Sequence, residues 1–462
     1  MTKRRHTPST SKVRRRELGF KRKGDGRHQE RIRRPDPCRI HIEPTEKNLT
    51  GVAGLAPFGA FIRELGVDAA LSRSFSRLKT GRSVVYPMAA QMRLLMDSAL
   101  AGEERVFGIE ALAVDPLFVR LAGGVVPSID TVYRDLCRFD EESLEALHRM
   151  VVDHGLALVA RRKHRFVHID VDTTVEPLFG TQEGALPGPN PRYHGRPSYH
   201  PILARIAEAD AIVGAKLRPG DTSFGEADVP FVEECIDRAR AAAPSAVIYV
   251  RIDGAGDCSA LMHAVAVKGC FFLTKARMSP DLVGMVAHAT GWRTIDRDAD
   301  GRPRRQVTEV PFRRSDWPDG VRVIAVRTRD RENGKQIYLW EGLDYTVQVF
   351  LTNEPVEAPE DVAARYDLRA GIEPLIGDVK HGWGCGRVPS HSFNANHAAL
   401  LLKLLTANLM RRYVLEHVPH LASWRTPWLR RALILVPGRL ARSSRGTKLH
   451  VPERSQLARW LN

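Results

Sequence analysis

The sequence predicts an α/β protein, and three observations carry that prediction. Phe166-Val-His-Ile-Asp170-Val-Asp172-Thr-Thr alternates in the period of a strand. Ala246-Val-Ile-Tyr-Val-Arg-Ile-Asp253 is nearly continuously apolar, as in a strand covered on both faces. Between and around such runs the apolar residues recur at helical spacing, so helices flank the sheet.

In order along the chain, residues 1–50 read as a disordered basic arm, rich in Lys, Arg, Ser, Thr and Pro with little to bury. Residues 51–160 read as a helical domain. Phe58, Phe61, Ile62 and Leu65 keep a 3–4 spacing, as do Met88, Met92, Leu95 and Met96. Ser128 is a good N-cap for a helix whose face is Ile129, Val132, Tyr133 and Leu136. That helix either offers Thr131 and Arg134 as a recognition surface or is a packing element; the sequence leaves both open. The alternating strand at residue 166 starts a core covering 161–285 and 355–415. Further strands are expected at Ser198–Ile206, Ala211–Leu217 and Cys270–Lys275, with helices at Val229–Ala243 and Ser259–Lys268. Residues 286–354 hold β-like runs at Val321–Val326, Gln336–Trp340 and Thr346–Leu351 and no long helical pattern. A basic C-terminal region, 416–462, follows.

Length and composition bound the function. At 462 residues more than one domain is expected. No apolar run is long enough to span a membrane, the N-terminus lacks a secretory apolar core, and the six cysteines form no C-x-x-C pair. A cytoplasmic, nucleoid-associated protein with no membrane role is the expectation. The net charge of +16 is concentrated at the ends. Residues 1–34 carry 14 Lys/Arg against 3 Asp/Glu, and residues 411–462 carry 11 against 2, which leaves 35–410 at 16 − 11 − 9 = −4. Cationic ends around a mildly acidic middle suit a nucleic-acid partner bound by counterion release.

The chemistry concentrates in Tyr366-Asp-Leu-Arg369-Ala-Gly-Ile-Glu373 with Lys380. Offsets of 0, 3, 7 and 14, at about 100° per residue, fall at roughly 0°, 300°, 340° and 320° on one helix. A stripe about 60° wide would hold a phenol, an acid and two bases. A solvated helix face with an Arg–Glu pair would look the same. Two strand-end carboxylates add weight: Asp172 before Thr173-Thr174, and Asp253 before Gly254-Ala-Gly256. Each is also an ordinary turn residue. Together with Glu373 they form a set able to hold two divalent cations, all through oxygen, against a phosphodiester.

Tyr366, Arg369, Glu373 and Lys380, with two, three and six residues between them, resemble the Tyr-Arg-Glu-Lys signature of DDE transposases from bacterial insertion sequences. That resemblance implies an RNase H-like mixed sheet flanked by helices. It has the first acid on the first strand, the second on the fourth, the Glu on a late helix, and a β-rich insertion before that helix. Asp172, Asp253 and Glu373 match the three metal-binding catalytic positions, and Tyr366, Arg369 and Lys380 the DNA-binding ones. The resemblance also implies Mg²⁺ as cofactor, with Mn²⁺ substituting. Its DNA partners are the terminal inverted repeats and a target, held by a homodimer in a synaptic complex, with the N-terminal helical domain binding DNA. Cleavage at the element's ends and joining of the 3′ ends is the expected activity. A catalytically inactive transposase-derived DNA-binding protein and a structure-specific nuclease are the alternatives. A glycosidase using two carboxylates leaves the basic ends unexplained.

Some features complicate this pattern. Pro374 follows Glu373 and should break or kink the helix, rotating Lys380 off the stripe. Asp170 shares a strand face with Asp172 and competes for the first position, as Asp257 does with Asp253. Trp292, Trp317 and Trp340 are core residues or stacking platforms for an unpaired base.

Overall fold

The computed structural model describes residues 43–190, 194–329, 345–444 and 446–461. The basic arm up to residue 42 and the expected strand at Gln336–Trp340 lie outside the described residues. The N-terminal periodicity becomes α1 (Leu55–Glu64), α2 (Val67–Phe75), α3 (Met88–Ala101), α4 (Pro116–Leu121), α5 (Ile129–Leu136) and α6 (Glu141–Val159). Side-chain caps fix three of these starts. Asp115 accepts from two backbone amides of α4, Ser128 from Thr131 of α5, and Asp140 forms a capping box with Ser143 on α6.

Strands and helices then alternate: β1 (Phe166–Thr173), β2 (Ile202–Ile206), β3 (Ala211–Lys216), α7 (Val229–Ala242), β4 (Val247–Arg251), α8 (Ser259–Val267), β5 (Phe271–Lys275) and α9 (Pro280–Ala287). The expected Ser198–Ile206 strand breaks at His200-Pro201. Its first part, Pro197–Tyr199, joins a small separate sheet with Glu176–Pro177 and Leu186–Pro187. Strands β1 to β5 lie in the order β3-β2-β1-β4-β5. The hairpins make β2 antiparallel to β1 and β3, and the helical crossovers make β4 and β5 parallel to β1. This is the RNase H-like arrangement.

The β-rich block forms β6 (Arg293–Arg297), β7 (Pro303–Val310), β8 (Arg322–Arg329) and β9 (Tyr345–Thr352). It extends the core sheet and is not a separate layer: β9 pairs antiparallel with β5 from Phe350↔Lys275 to Thr352↔Leu273, and β8, β7 and β6 follow outward. The edge that β5 would otherwise leave open is thereby paired.

The signature segment comprises α10 (Pro359–Asp367) and α11 (Ile372–Gly377), followed by α12 (Phe393–His417) and the short α13 (Thr426–Leu429). Helix α12 is buried on all sides, with Leu401, Leu404, Leu405 and Leu409 fully enclosed. It shares one hydrophobic core with α1–α3, α6 and one face of the sheet, so the helical region and the catalytic core are joined through it. Asn408 locks this junction: its side-chain oxygen accepts from Ile212 N, and its amide donates to Val151 O and Ile212 O. At the chain ends Leu49–Thr50 pairs with Gly438–Arg439, itself in a hairpin with Gly446–His450. The extended tail of the arm is therefore structured by Leu49.

Candidate active site

The floor of the site is a charged cross-strand triad. Asp170 on β1 lies in register with Arg205 on β2 and Arg251 on β4. Arg251 donates to both Asp170 oxygens at 2.6 and 3.0 Å, and Arg205 Nε reaches Oδ2 at 3.2 Å. All three are buried. The triad also seats the signature segment: Arg251 Nη1 donates to Arg365 O of α10 at 2.7 Å. A Cβ on Gly371 would stand 2.5 Å from Arg205 Nη2, which is why glycine occupies that turn. Asp170, with its oxygens taken by two guanidinium groups, is a structural anchor.

Two residues along β1, Asp172 has a different environment. Its Oδ1 accepts from Thr173 N at 2.9 Å, and its Oδ2 faces Arg369 Nη2 at 3.2 Å. Burial pushes its carboxyl up to about 6; Arg369 opposes this, while the charges of Asp253 and Glu373 add to it. Asp253 and Glu373 are thus each near enough to disfavour the charge on Asp172. Asp253, just beyond β4, caps the turn Gly254–Gly256 by accepting from Ala255 N at 2.9 Å. Its rival Asp257 is buried, accepts from Arg277 N at 2.7 Å and faces Arg314 at 3.4 Å, so it braces the loop. Glu373 is exposed and makes no hydrogen bond or ion pair among the described residues.

The signature is not one helix, which corrects the stripe expected from sequence. After α10 the backbone tightens to a 3-10 turn at Leu368–Gly371, restarts as α11, and widens to a π turn at Asp378–Gly382. Pro374 therefore sits in the first turn of a new helix, where backbone N–H groups have no intrahelical partner, and its expected penalty is avoided. The widened turn carries Lys380 to Val175 O at 2.8 Å and Glu176 Oε1 at 2.9 Å, apart from the Asp172–Arg369 pair. Tyr366 and Arg369, expected at a DNA surface, are each 6% exposed. The Tyr366 ring stacks on Phe350 with centroids 4.4 Å apart, and burial pushes its hydroxyl up to about 12. Neither Tyr366 Oη nor Arg369 Nε meets a partner in good hydrogen-bond geometry, and the Arg369 guanidinium lies close enough to act on the Tyr366 hydroxyl. Such orphans are uncommon in folded proteins and mark groups held ready for something else.

Of the tryptophans, Trp317 is buried against Phe312, and Trp292 lies under the Arg327 guanidinium at 4.2 Å. Trp340 lies outside the described residues. Thr131 is half-buried and bonded to Ser128, whereas Arg134 is exposed. Sequence reasoning missed Arg205 and Arg251. Their signal was present: each is a lone cation inside an apolar strand, and that placement demands a buried counter-ion.

The donor set fits a hard divalent cation. It consists of carboxylate oxygens only, and the burial that chiefly raises Asp172, with the smaller push from Asp253 and Glu373, is what such a cation would offset. Among the described residues no three His, Cys, Asp or Glu side chains are closed around a metal-sized point; Asp172 faces Arg369, and Glu373 points free.

An RNase H-like sheet with acids just beyond or at the ends of its first and fourth strands, and a glutamate on a late helix, is the frame of the DDE transposases. A family model described as Transposase DDE domain group 1 matches residues 34–462, and the chain belongs to that family. No curated protein matches the chain. A solved structure described as the cryo-EM structure of the piggyBac transposase synaptic complex with hairpin DNA is similar at 10% identity and a TM-score of 0.46, over 82% of this chain and 79% of that one. At that level the likeness carries no argument about chemistry.

Proposed function

We propose that this DDE transposase belongs to a bacterial insertion sequence, cuts DNA at the element's terminal repeats and joins the 3′ ends to a target. The observation that carries the reading is the family match over residues 34–462, supported by a buried Asp172 whose charge Asp253 and Glu373 both disfavour. These three residues would hold Mg²⁺ or Mn²⁺, which when bound supplies positive charge to the reacting phosphate and its attacking oxygen. Arg369 faces Asp172 and carries an N–H without a well-formed bond that could take a phosphate oxygen; the Tyr366 hydroxyl, which the Arg369 guanidinium reaches, adds a second polar group there. Lys380, held by Glu176, adds a second cation at the rim of the site. A homodimer bringing two ends together, in the cytoplasm at the nucleoid, completes the proposal.

The test uses full-length protein, Mg²⁺ and a labelled fragment bearing the DNA that flanks the gene, with Glu373→Gln alongside. Cutting and joining that vanish in the variant are the expected result. Binding without cutting by the wild type would instead mark an inactive DNA-binding derivative, and cutting without joining a nuclease.

A further inference from the structure

Between Glu416 and Glu453 the sequence has no carboxylate, yet it carries seven Lys or Arg residues and two tryptophans. The structure sorts these residues sharply. Arg430 turns inward, donating to Ala99 O, Leu100 O and Gly382 O and covering the Trp383 ring. Arg425 and Arg431 turn outward and make no ion pair among the described residues. Trp428 between them is 61% exposed, and Ser423, Trp424, Arg425, Trp428, Arg431 and Ala432 line one open groove. An indole left in water beside two unpaired guanidinium groups serves the fold poorly and suits a partner with flat apolar faces and negative charge.

The platform is rigid. Thr426 donates from its backbone N to Asp378 Oδ1 at 3.2 Å and from its hydroxyl to Oδ2 at 2.5 Å. Asp378 opens the π turn that carries Lys380. Groove and signature segment are therefore tied to each other through the Thr426–Asp378 contact.

We propose that the Arg425–Trp428–Arg431 groove is a second DNA-binding surface, in which the guanidinium groups take phosphates and the indole packs on a sugar or base. This rests on the reading of the chain as a DNA-processing enzyme. A second copy of the chain is the rival occupant. A two-fold contact centred on the groove would set Arg425 and Arg431 against their own copies, and none of the residues that line the groove is an acid able to neutralise them.

The test is fluorescence anisotropy of the full chain with a labelled random-sequence duplex across a salt series. Wild type, Trp428→Ala and the double variant Arg425→Gln/Arg431→Gln are compared, with melting temperature and light-scattering mass recorded for each. The double variant should bind about tenfold more weakly, with a log–log salt slope shallower by about 2. Trp428→Ala should bind about fivefold more weakly at nearly unchanged slope. Binding and salt slopes equal to wild type overturn the proposal. A fall in mass with DNA affinity intact also overturns it, and assigns the groove to a contact between copies. Failure of the wild type to bind duplex at all removes the proposed function itself, a separate outcome.

Discussion

Two carboxylates on one strand, Asp170 and Asp172, sit two residues apart and have opposite fates. Asp170 is fully enclosed and paired with Arg251 and Arg205, each of which also braces the signature segment above it. Asp172 is raised by burial and by neighbouring acids, and it shares a single arginine that still has an idle N–H. The floor is electrostatically complete and the lip above it is not. A finished network stabilises the fold, whereas an unfinished one stores affinity for a ligand. The contrast makes separable predictions.

The largest effect should come from cutting the pair apart by mutation. Asp170→Ala leaves two buried guanidinium groups without their shared counter-ion, at a cost of about 3–5 kcal/mol, and chemical denaturation should read that loss directly. Asp172→Ala should cost far less stability while reducing DNA cleavage by about a thousandfold or more, since under the proposed function it removes one of the acids that would hold the metal. Equal destabilisation by the two variants would sink the distinction between floor and lip.

The second effect is a pH dependence to which Asp172 contributes and which the buried Asp97, also pushed up to about 6, shares. The folded-state Asp172 carboxyl sits at about 6, above the unfolded value, so the folded chain binds the proton more tightly. The resulting stability is fully present below about pH 4 and is lost as pH rises through about 6, amounting to about 2–3 kcal/mol. In metal-free buffer the Asp172 contribution is read as the difference in unfolding free energy between wild type and Asp172→Asn across that window. The difference is needed because Asp97 acts with the same sign and the buried His148 and His397, held down to about 4, with the opposite one. Asp172→Asn should flatten that component; an unchanged slope would assign the titration to another group.

Much of this was legible in the sequence, for reasons the residues make clear. The strict alternation of Phe166–Thr173 and the apolar run around Val250 located β1 and β4, because a buried strand tolerates few other patterns. Pro374 signalled that the signature helix would not wind uniformly and that Lys380 would leave the stripe, but not where: the irregular turns fall at Leu368–Gly371 and Asp378–Gly382, on either side of it. Nor could the sequence place β9 beside β5, a pairing between strands far apart along the chain. Choosing between Asp170 and Asp172 required knowing that Arg205 and Arg251 flank the former, which only sheet register reveals.

A smaller steric effect tests the seat beneath the signature. Gly371 has φ −62° and ψ −17°, ordinary right-handed geometry, so alanine would meet no backbone strain. Helix propensity alone would favour alanine by about 1 kcal/mol. Its Cβ, however, would lie 2.5 Å from Arg205 Nη2, and that guanidinium is held by Asp170 and Asp210. Gly371→Ala should therefore destabilise by about 1–3 kcal/mol, through overpacking. A gain in melting temperature would mean that the segment is not seated on the triad.

The smallest effect has the opposite sign and probes the lip. Tyr366→Phe keeps the ring stacked on Phe350 and removes a buried hydroxyl that has no well-formed hydrogen bond, the Arg369 guanidinium being its polar neighbour. Freed of that desolvation cost, the variant should be as stable as the wild type or more stable by about 1 kcal/mol. If the hydroxyl is held in reserve for a DNA phosphate, the same change should weaken binding to the element's ends. A variant that gains stability while losing end affinity carries the signature of a functional orphan. One that loses stability would show that the hydroxyl bonds within the fold, and the comparison with Asp170 would then rest on Arg369 alone.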